Sequence, residues 1–182
     1  MNRITAACLV LAASLYGCER PHDVDQQARE AAAGSSWQFK TLKDAMTDKV
    51  RGIASLESRE GANTGALLIF KCDEPGANSV YVQISFGQYL GATHERSEMR
   101  DVQYRIDGGA PERLTSEYDD KYLIVTDARD VKRFAAAVAN GKRLVVRAKT
   151  YDYSEVDTEF DLSDAAAQIR RVAETCKATP LI

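Results

Sequence analysis

The chain has 182 residues, a formal charge of −3, 45% hydrophobic and 28% charged residues. That balance is ordinary for a globular chain and provides no basic field of the kind that attracts nucleic acid. Apart from one short N-terminal run, nothing in it is apolar enough to cross a bilayer.

Residues 1–17, "MNRITAACLVLAASLYG", carry one positive charge at Arg3, followed by an uncharged segment from Ile4 to Gly17. At about 14 residues it is shorter than the ~20 a spanning helix needs, and it reads as a secretory signal peptide. Its end, Leu15-Tyr16-Gly17-Cys18, resembles a bacterial lipobox, with Leu at −3, Gly at −1 and Cys at +1. That resemblance implies lipidation of Cys18 and an acyl-anchored protein; two or more chains give stable attachment where one does not. By the same resemblance, Glu19 is not the Asp that retains lipoproteins in the inner membrane, which favours the periplasmic face of the outer membrane. With Cys8 removed and Cys18 lipidated, Cys72 and Cys176 are left as a pair, expected as a disulfide in an oxidising compartment.

Removing the signal leaves about 165 residues, near the size of one domain. Residues 18–36 follow as a tether: one large apolar residue, Val24, and a Gly-Ser-Ser end cannot build a core. A short helix is compatible with "DQQAREAAA". A single globular β-rich domain is expected over residues 37–182.

From Trp37 the signals are mainly those of strands. "WQFKTL" alternates. "ALLIFKC" is a near-continuous apolar run suited to a central strand. In "SVYVQISFGQYL", Val80, Val82, Ile84 and Phe86 alternate with Tyr81, Gln83 and Ser85. "VQYRIDGGAPERL" places an Asp-Gly-Gly turn after Val102, Tyr104 and Ile106, marking a hairpin or tight reversal. "KYLIVTD" is another short strand.

Asp127 or Asp130 caps a helix, "VKRFAAAVANG", whose stripe is Val131, Phe134, Ala135 and Val138 and whose stop is Gly141. A last helix, about Asp164 to Lys177, has Asp161 and Ser163 as candidate caps. Its apolar face is Ala166, Ile169, Val172, Ala173 and Cys176. Cys176 then faces the sheet, as a bond to Cys72 requires. Between the helices, "RLVVRAKTYDYSEVDTEFDL" reads as a hairpin. With Asp152, Tyr153 and Ser154 as its loop, Tyr151 opposes Glu155, Lys149 opposes Asp157 and Arg147 opposes Glu159. On the other face Thr150 meets Val156, Ala148 meets Thr158, Val146 meets Phe160 and Leu144 meets Leu162. The expected class is α+β, mainly β: an antiparallel sheet or β-sandwich with two helices, the C-terminal one packed on the sheet and tied by a disulfide.

The acidic run Glu155, Asp157, Glu159, Asp161 reads as a solvated face, because cross-strand cations account for half of it. "EYDD", Glu117 to Asp120, reads as a solvated turn. "GATHERSEMRD" sets His94 next to carboxylates, among Glu95, Arg96 and Glu98, in a loop without a nucleophile to complete a catalytic group. No Gly-rich phosphate loop, zinc spacing or nucleophile elbow occurs, so the reading is a non-enzyme with neither cofactor nor metal. The mixed-charge residues His94, Glu95 and Arg96, and the tyrosines Tyr118, Tyr151 and Tyr153, are candidate contacts for a protein partner, since tyrosine contributes disproportionately to interfaces.

Trp37, "LLIFKC", "VQYRIDGG", a helix before "RLVVRAKTY", then "TEFDLS" and a terminal helix ending in Cys together resemble the periplasmic VasI/TagO-like proteins associated with type VI secretion, over about residues 37 to 176. Two tryptophans of that pattern are absent here: none follows the turn in "GGAPERL", and none follows the final Cys. The resemblance implies a secretion accessory that binds another envelope protein. An inhibitor or immunity protein against a periplasmic hydrolase or toxin is the alternative, because an acidic domain on a tether suits a basic enzyme.

Overall fold

The computed structural model describes residues 37–59, 65–91 and 99–182. The signal segment, Cys18, the tether, and His94, Glu95 and Arg96 lie outside the described residues. Strands β1 (Gln38–Lys43), β2 (Val50–Glu57), β3 (Leu67–Cys72), β4 (Val80–Ser85), β5 (Met99–Ile106), β6 (Glu112–Asp119) and β7 (Tyr122–Val125) come first. Helix α1 (Ala128–Asn140), strands β8 (Arg143–Lys149) and β9 (Glu155–Asp161), and helix α2 (Ala165–Thr175) complete the chain. Among the described residues all strand pairs are antiparallel, in one nine-stranded sheet of order β1-β2-β3-β4-β7-β6-β5-β8-β9. The expected class holds.

Period-two alternation decides which face is buried. In β3, Leu68, Phe70 and Cys72 point into the core while Leu67, Ile69 and Lys71 are half-buried on the outer face. Helix α2 packs over β2 and β3, and α1 packs on β4 and on α2. The whole expected stripe of α1, Val131, Phe134, Ala135 and Val138, is buried. Phe134 joins the two halves of the sheet. Its ring stacks on Phe70 of β3 at 6.2 Å and meets Tyr104 of β5 edge-on at 5.0 Å.

Beyond β9, the sheet edge meets the segment that follows β2. The Arg59 N–H donates to the Glu159 carbonyl at 2.8 Å, and the Glu159 carboxylate takes both Arg59 and Arg143. This contact occupies a backbone acceptor that an open edge would leave exposed.

Cys72 and Cys176 form the expected disulfide, with Cα atoms 6.1 Å apart and a sequence separation of 104. Cys176 is the C-cap residue of α2, so the bond fixes that end of the helix to the end of β3. A loop of this length is worth ~4.7 kcal/mol in the chain-entropy account. Both sulfurs sit in the core, and the C-terminal Ala178, Leu181 and Ile182 pack on it as well.

Several details differ from expectation. Strand β2 carries a weak sequence signal because its core side is Gly52, Ala54 and Leu56. The small residues let α2 come close: a Cβ at Gly52 would lie 3.0 Å from Thr175 Cβ. Glu117, Tyr118 and Asp119 end strand β6 and do not form a turn; the tight turn to β7 starts at Asp120, at φ 55°. Arg100 and Asp101 likewise belong to β5.

Asp127 caps α1, accepting from the N–H groups of Arg129 and Asp130. Neither Asp161 nor Ser163 caps α2. Asp164 holds that position at φ 64° without a side-chain cap bond, while Asp161 accepts from Ser163. Ala165, more than Ala166, is buried on that helix. Gly141 ends α1 in extended backbone, so its role is space: a Cβ there would stand 2.5 Å from Ile106 Cγ2.

The β8–β9 register is also displaced. Arg147 opposes Asp157, Lys149 opposes Glu155 and Leu144 opposes Phe160. The loop is therefore Tyr151-Asp152-Tyr153. The slip moves β9 by two residues, which preserves every inward and outward assignment.

Candidate partner-binding surface

Among the described residues, six large hydrophobic side chains are exposed, and they fall into two groups. Leu42, Met46 and Val50 surround the β1–β2 turn, at the strand end that also carries Cys72 and Val80. Tyr89, Tyr151 and Tyr153 gather at the opposite end, where β4 finishes and β9 begins.

The tyrosine group is built on two anchored loops. After β4, Phe86 and Leu90 are fully buried, and their N–H groups donate to the carbonyls of Lys121 and Asp120 at 3.1 and 2.8 Å. Gln88 and Tyr89 are left outside. Across from them, Thr150 N–H donates to Ser154 O at 2.9 Å and Tyr153 N–H to Thr150 O at 3.0 Å. Asp152 accepts from the Thr150 hydroxyl and, at 3.2 Å, from Ser154 N–H. The Thr150 hydroxyl bond, then the Ser154 bonds, holds the Asp152 carboxyl below the usual carboxylate range. Tyr153 has φ 66°, a left-handed conformation costly for a residue with a Cβ. The hydrogen bonds around Asp152 are what sustain it.

Tyr151 and Tyr153 are 63% and 79% exposed. The Tyr151 ring lies 5.4 Å from that of Tyr89 at 52°. Between the two loops is a cleft of about 390 Å³ lined by Gln88, Tyr89, Thr150, Tyr151, Asp152 and Ser154. Rigid aromatic area with polar groups beside it is the composition of a protein-binding surface.

Tyr118, expected on the surface, is instead fully buried. Leu114, Ser116 and Tyr118 alternate along β6 toward the core, so its period-two position outweighs its acidic neighbours. Its hydroxyl accepts from Lys149 N–H at 3.2 Å, and the Arg100 guanidinium lies 4.6 Å over its ring. Burial raises its pKa. Tyr118 thus supports the hairpin one residue before Thr150.

Three carboxylates of the β9 acidic run, Glu155, Asp157 and Glu159, have cations, while Asp161 accepts from Ser163. Arg147 donates to both oxygens of Asp157 at 2.7 Å and reaches Glu155 at 3.1 Å. The Arg147 hydrogen bonds hold Asp157 below its ordinary pKa, and Asp157 in turn raises that of Arg147. Among the described residues, no group of three or more His, Cys, Asp or Glu is placed to hold a metal ion. Tyr89, Gln88 and Asp152 were not among the sequence candidates. The signal for Tyr89 is its position between the apolar Phe86 and Leu90, out of phase with both.

No protein-family model matches the chain, and no curated protein matches it in sequence. Among solved structures, invasion associated protein B from Bartonella henselae superimposes with a TM-score of 0.53. The match covers 79% of this chain and 95% of that one at 12% identity. At that identity the likeness is one of fold.

Proposed function

We propose that this chain is a lipid-anchored periplasmic protein whose tyrosine-bearing end binds another protein of the bacterial envelope. The observation that carries the reading is the exposure of Tyr89, Tyr151 and Tyr153 together on anchored loops. Holding such side chains in water is unfavourable, and covering them releases that cost at little loss of conformational entropy.

The Cys72–Cys176 bond fits an oxidising compartment. The lipobox-like Leu15-Tyr16-Gly17-Cys18 supports acylation of Cys18, and Glu19 supports the outer membrane. The resemblance to VasI/TagO-like proteins supports a type VI secretion component as that partner. The locked backbone of the Tyr151-Asp152-Tyr153 loop also favours a second reading, insertion into a periplasmic hydrolase or toxin as an inhibitor.

Affinity capture from cross-linked envelopes tests this, comparing the native chain with a Tyr89→Ala, Tyr151→Ala, Tyr153→Ala triple variant. Secretion components lost in the variant support the first reading, and a single lost hydrolase supports the second. Identical captures reject the tyrosine end as the binding surface. Cys18→Ser is expected to release the protein from membranes, and continued retention argues against the anchor.

A further inference from the structure

The cleft between the tyrosine loops has a specific chemistry. Tyr89 and Tyr151, their ring centroids 5.4 Å apart, line it together with Asp152, Gln88 and Ser154. An aromatic face attracts a cation through its quadrupole, and a carboxylate beside it adds charge and a hydrogen-bond acceptor.

The chain uses the aromatic half of this arrangement repeatedly within its own fold. Arg171 lies 3.9 Å over Phe39, Arg100 4.6 Å over Tyr118, Lys71 5.1 Å over Tyr81 and Lys121 5.5 Å over Tyr122. Tyr81 donates to the Asp73 carboxylate at 2.7 Å, so there one tyrosine carries both a cation and an acid.

Several cations near the cleft, among the described residues, have partners of their own. Arg147 holds Asp157 and Glu155, Arg100 lies over the Tyr118 ring with its guanidinium beside Gly91, and Lys121 is over Tyr122. Asp152 remains ionised, bonded only to groups of its own loop. Asp120 lies beside the Tyr89 loop through its bond from Leu90 N–H.

We infer that the cleft is a receptor for an arginine side chain on the partner protein, its guanidinium stacked on Tyr89 or Tyr151 and paired with Asp152. Arginine suits the cleft better than lysine, because a planar guanidinium stacks on a ring while still donating to a carboxylate at its edge. This rests on the partner-binding reading above and names the partner's contact: a basic surface patch with a protruding arginine.

The test uses the full-length oxidised protein and a fluorescein-labelled peptide with four arginines separated by Gly-Ser, alongside its four-lysine and four-glutamate versions, read by fluorescence anisotropy at low salt. The arginine peptide is expected to bind more tightly than the lysine one, and the glutamate peptide not at all. Tyr151→Ala and Asp152→Asn should each weaken the arginine peptide roughly 3- to 30-fold. Because Asp152 also holds its own loop, Tyr89→Ala supplies a variant outside the hairpin, with the same loss expected. Equal affinity for arginine and lysine peptides, or unchanged binding in both Tyr89→Ala and Tyr151→Ala, overturns the assignment. A partner that photo-cross-links to position 153 while the peptides show no arginine preference overturns the ligand class alone. Failure to cross-link overturns the partner-binding reading beneath it.

Discussion

Arg147 and Asp157 stand directly opposite each other on β8 and β9 and share two hydrogen bonds of 2.7 Å. The guanidinium and carboxylate planes thus meet edge to edge, the geometry in which an exposed pair is strongest. The same arginine reaches Glu155, which makes it the pivot of the outer face of this hairpin.

Reversing that pair tests the register. Arg147→Glu and Asp157→Arg should each destabilise, and the double reversal should recover ~0.5–1 kcal/mol of the summed loss, measured by urea denaturation. No coupling between the two positions contradicts the pairing.

Gly52 faces α2 closely: a Cβ there would lie 3.0 Å from Thr175 Cβ, so the threonine side chain or the helix would have to shift. Gly52→Ala is expected to cost about 1–3 kcal/mol by pushing the helix from β2. Adding Thr175→Ala should return most of that loss. A Gly52→Ala protein as stable as the native one places the helix elsewhere.

Replacing both Cys72 and Cys176 by Ala should lower stability by about 2–5 kcal/mol in a chemical melt, since the bond spans most of the domain and holds α2 on β3. Non-reducing peptide mapping of the native protein should return the Cys72–Cys176 peptide. Free thiols at both positions exclude the staple.

Acid should weaken the fold through specific carboxylates. The Arg147 hydrogen bonds lower the pKa of Asp157, so its stabilisation is complete above the unfolded value near 3.9 and is lost as pH falls through the lower folded value. The urea midpoint should fall between pH 5 and pH 2. Asp157→Asn should reduce that fall, and an unaltered pH profile in the variant argues against the pair.

Much of the fold was legible because local pattern and burial agree. "ALLIFKC" alternates two sides of a central strand, and the α1 stripe returns every third or fourth residue. The disulfide followed from counting cysteines. Strand β2 was illegible because Gly52 and Ala54 are shaped by a helix more than a hundred residues away. The hairpin register was ambiguous because its charges recur every second residue, so a slip of two still pairs opposite signs. The observed register comes with the Asp152 hydrogen bonds at the loop, a local detail weaker in sequence than the ladder of charges.

The candidate surface was half legible. Tyr151 and Tyr153 stand out because they flank a polar turn, whereas Tyr118 is distinguished from them only by the phase of its strand. Tyr89 required the tertiary structure, which brings the loop after β4 beside a hairpin some 60 residues later in the sequence.

The central claim is that the tyrosine end meets a protein partner. Its most direct test is a photo-cross-linking amino acid at position 153 in the native envelope, with position 105 on the outer face of β5 as control. The account predicts a discrete covalent adduct from position 153 and none from 105. No adduct at 153, or the same adducts from both positions, contradicts it.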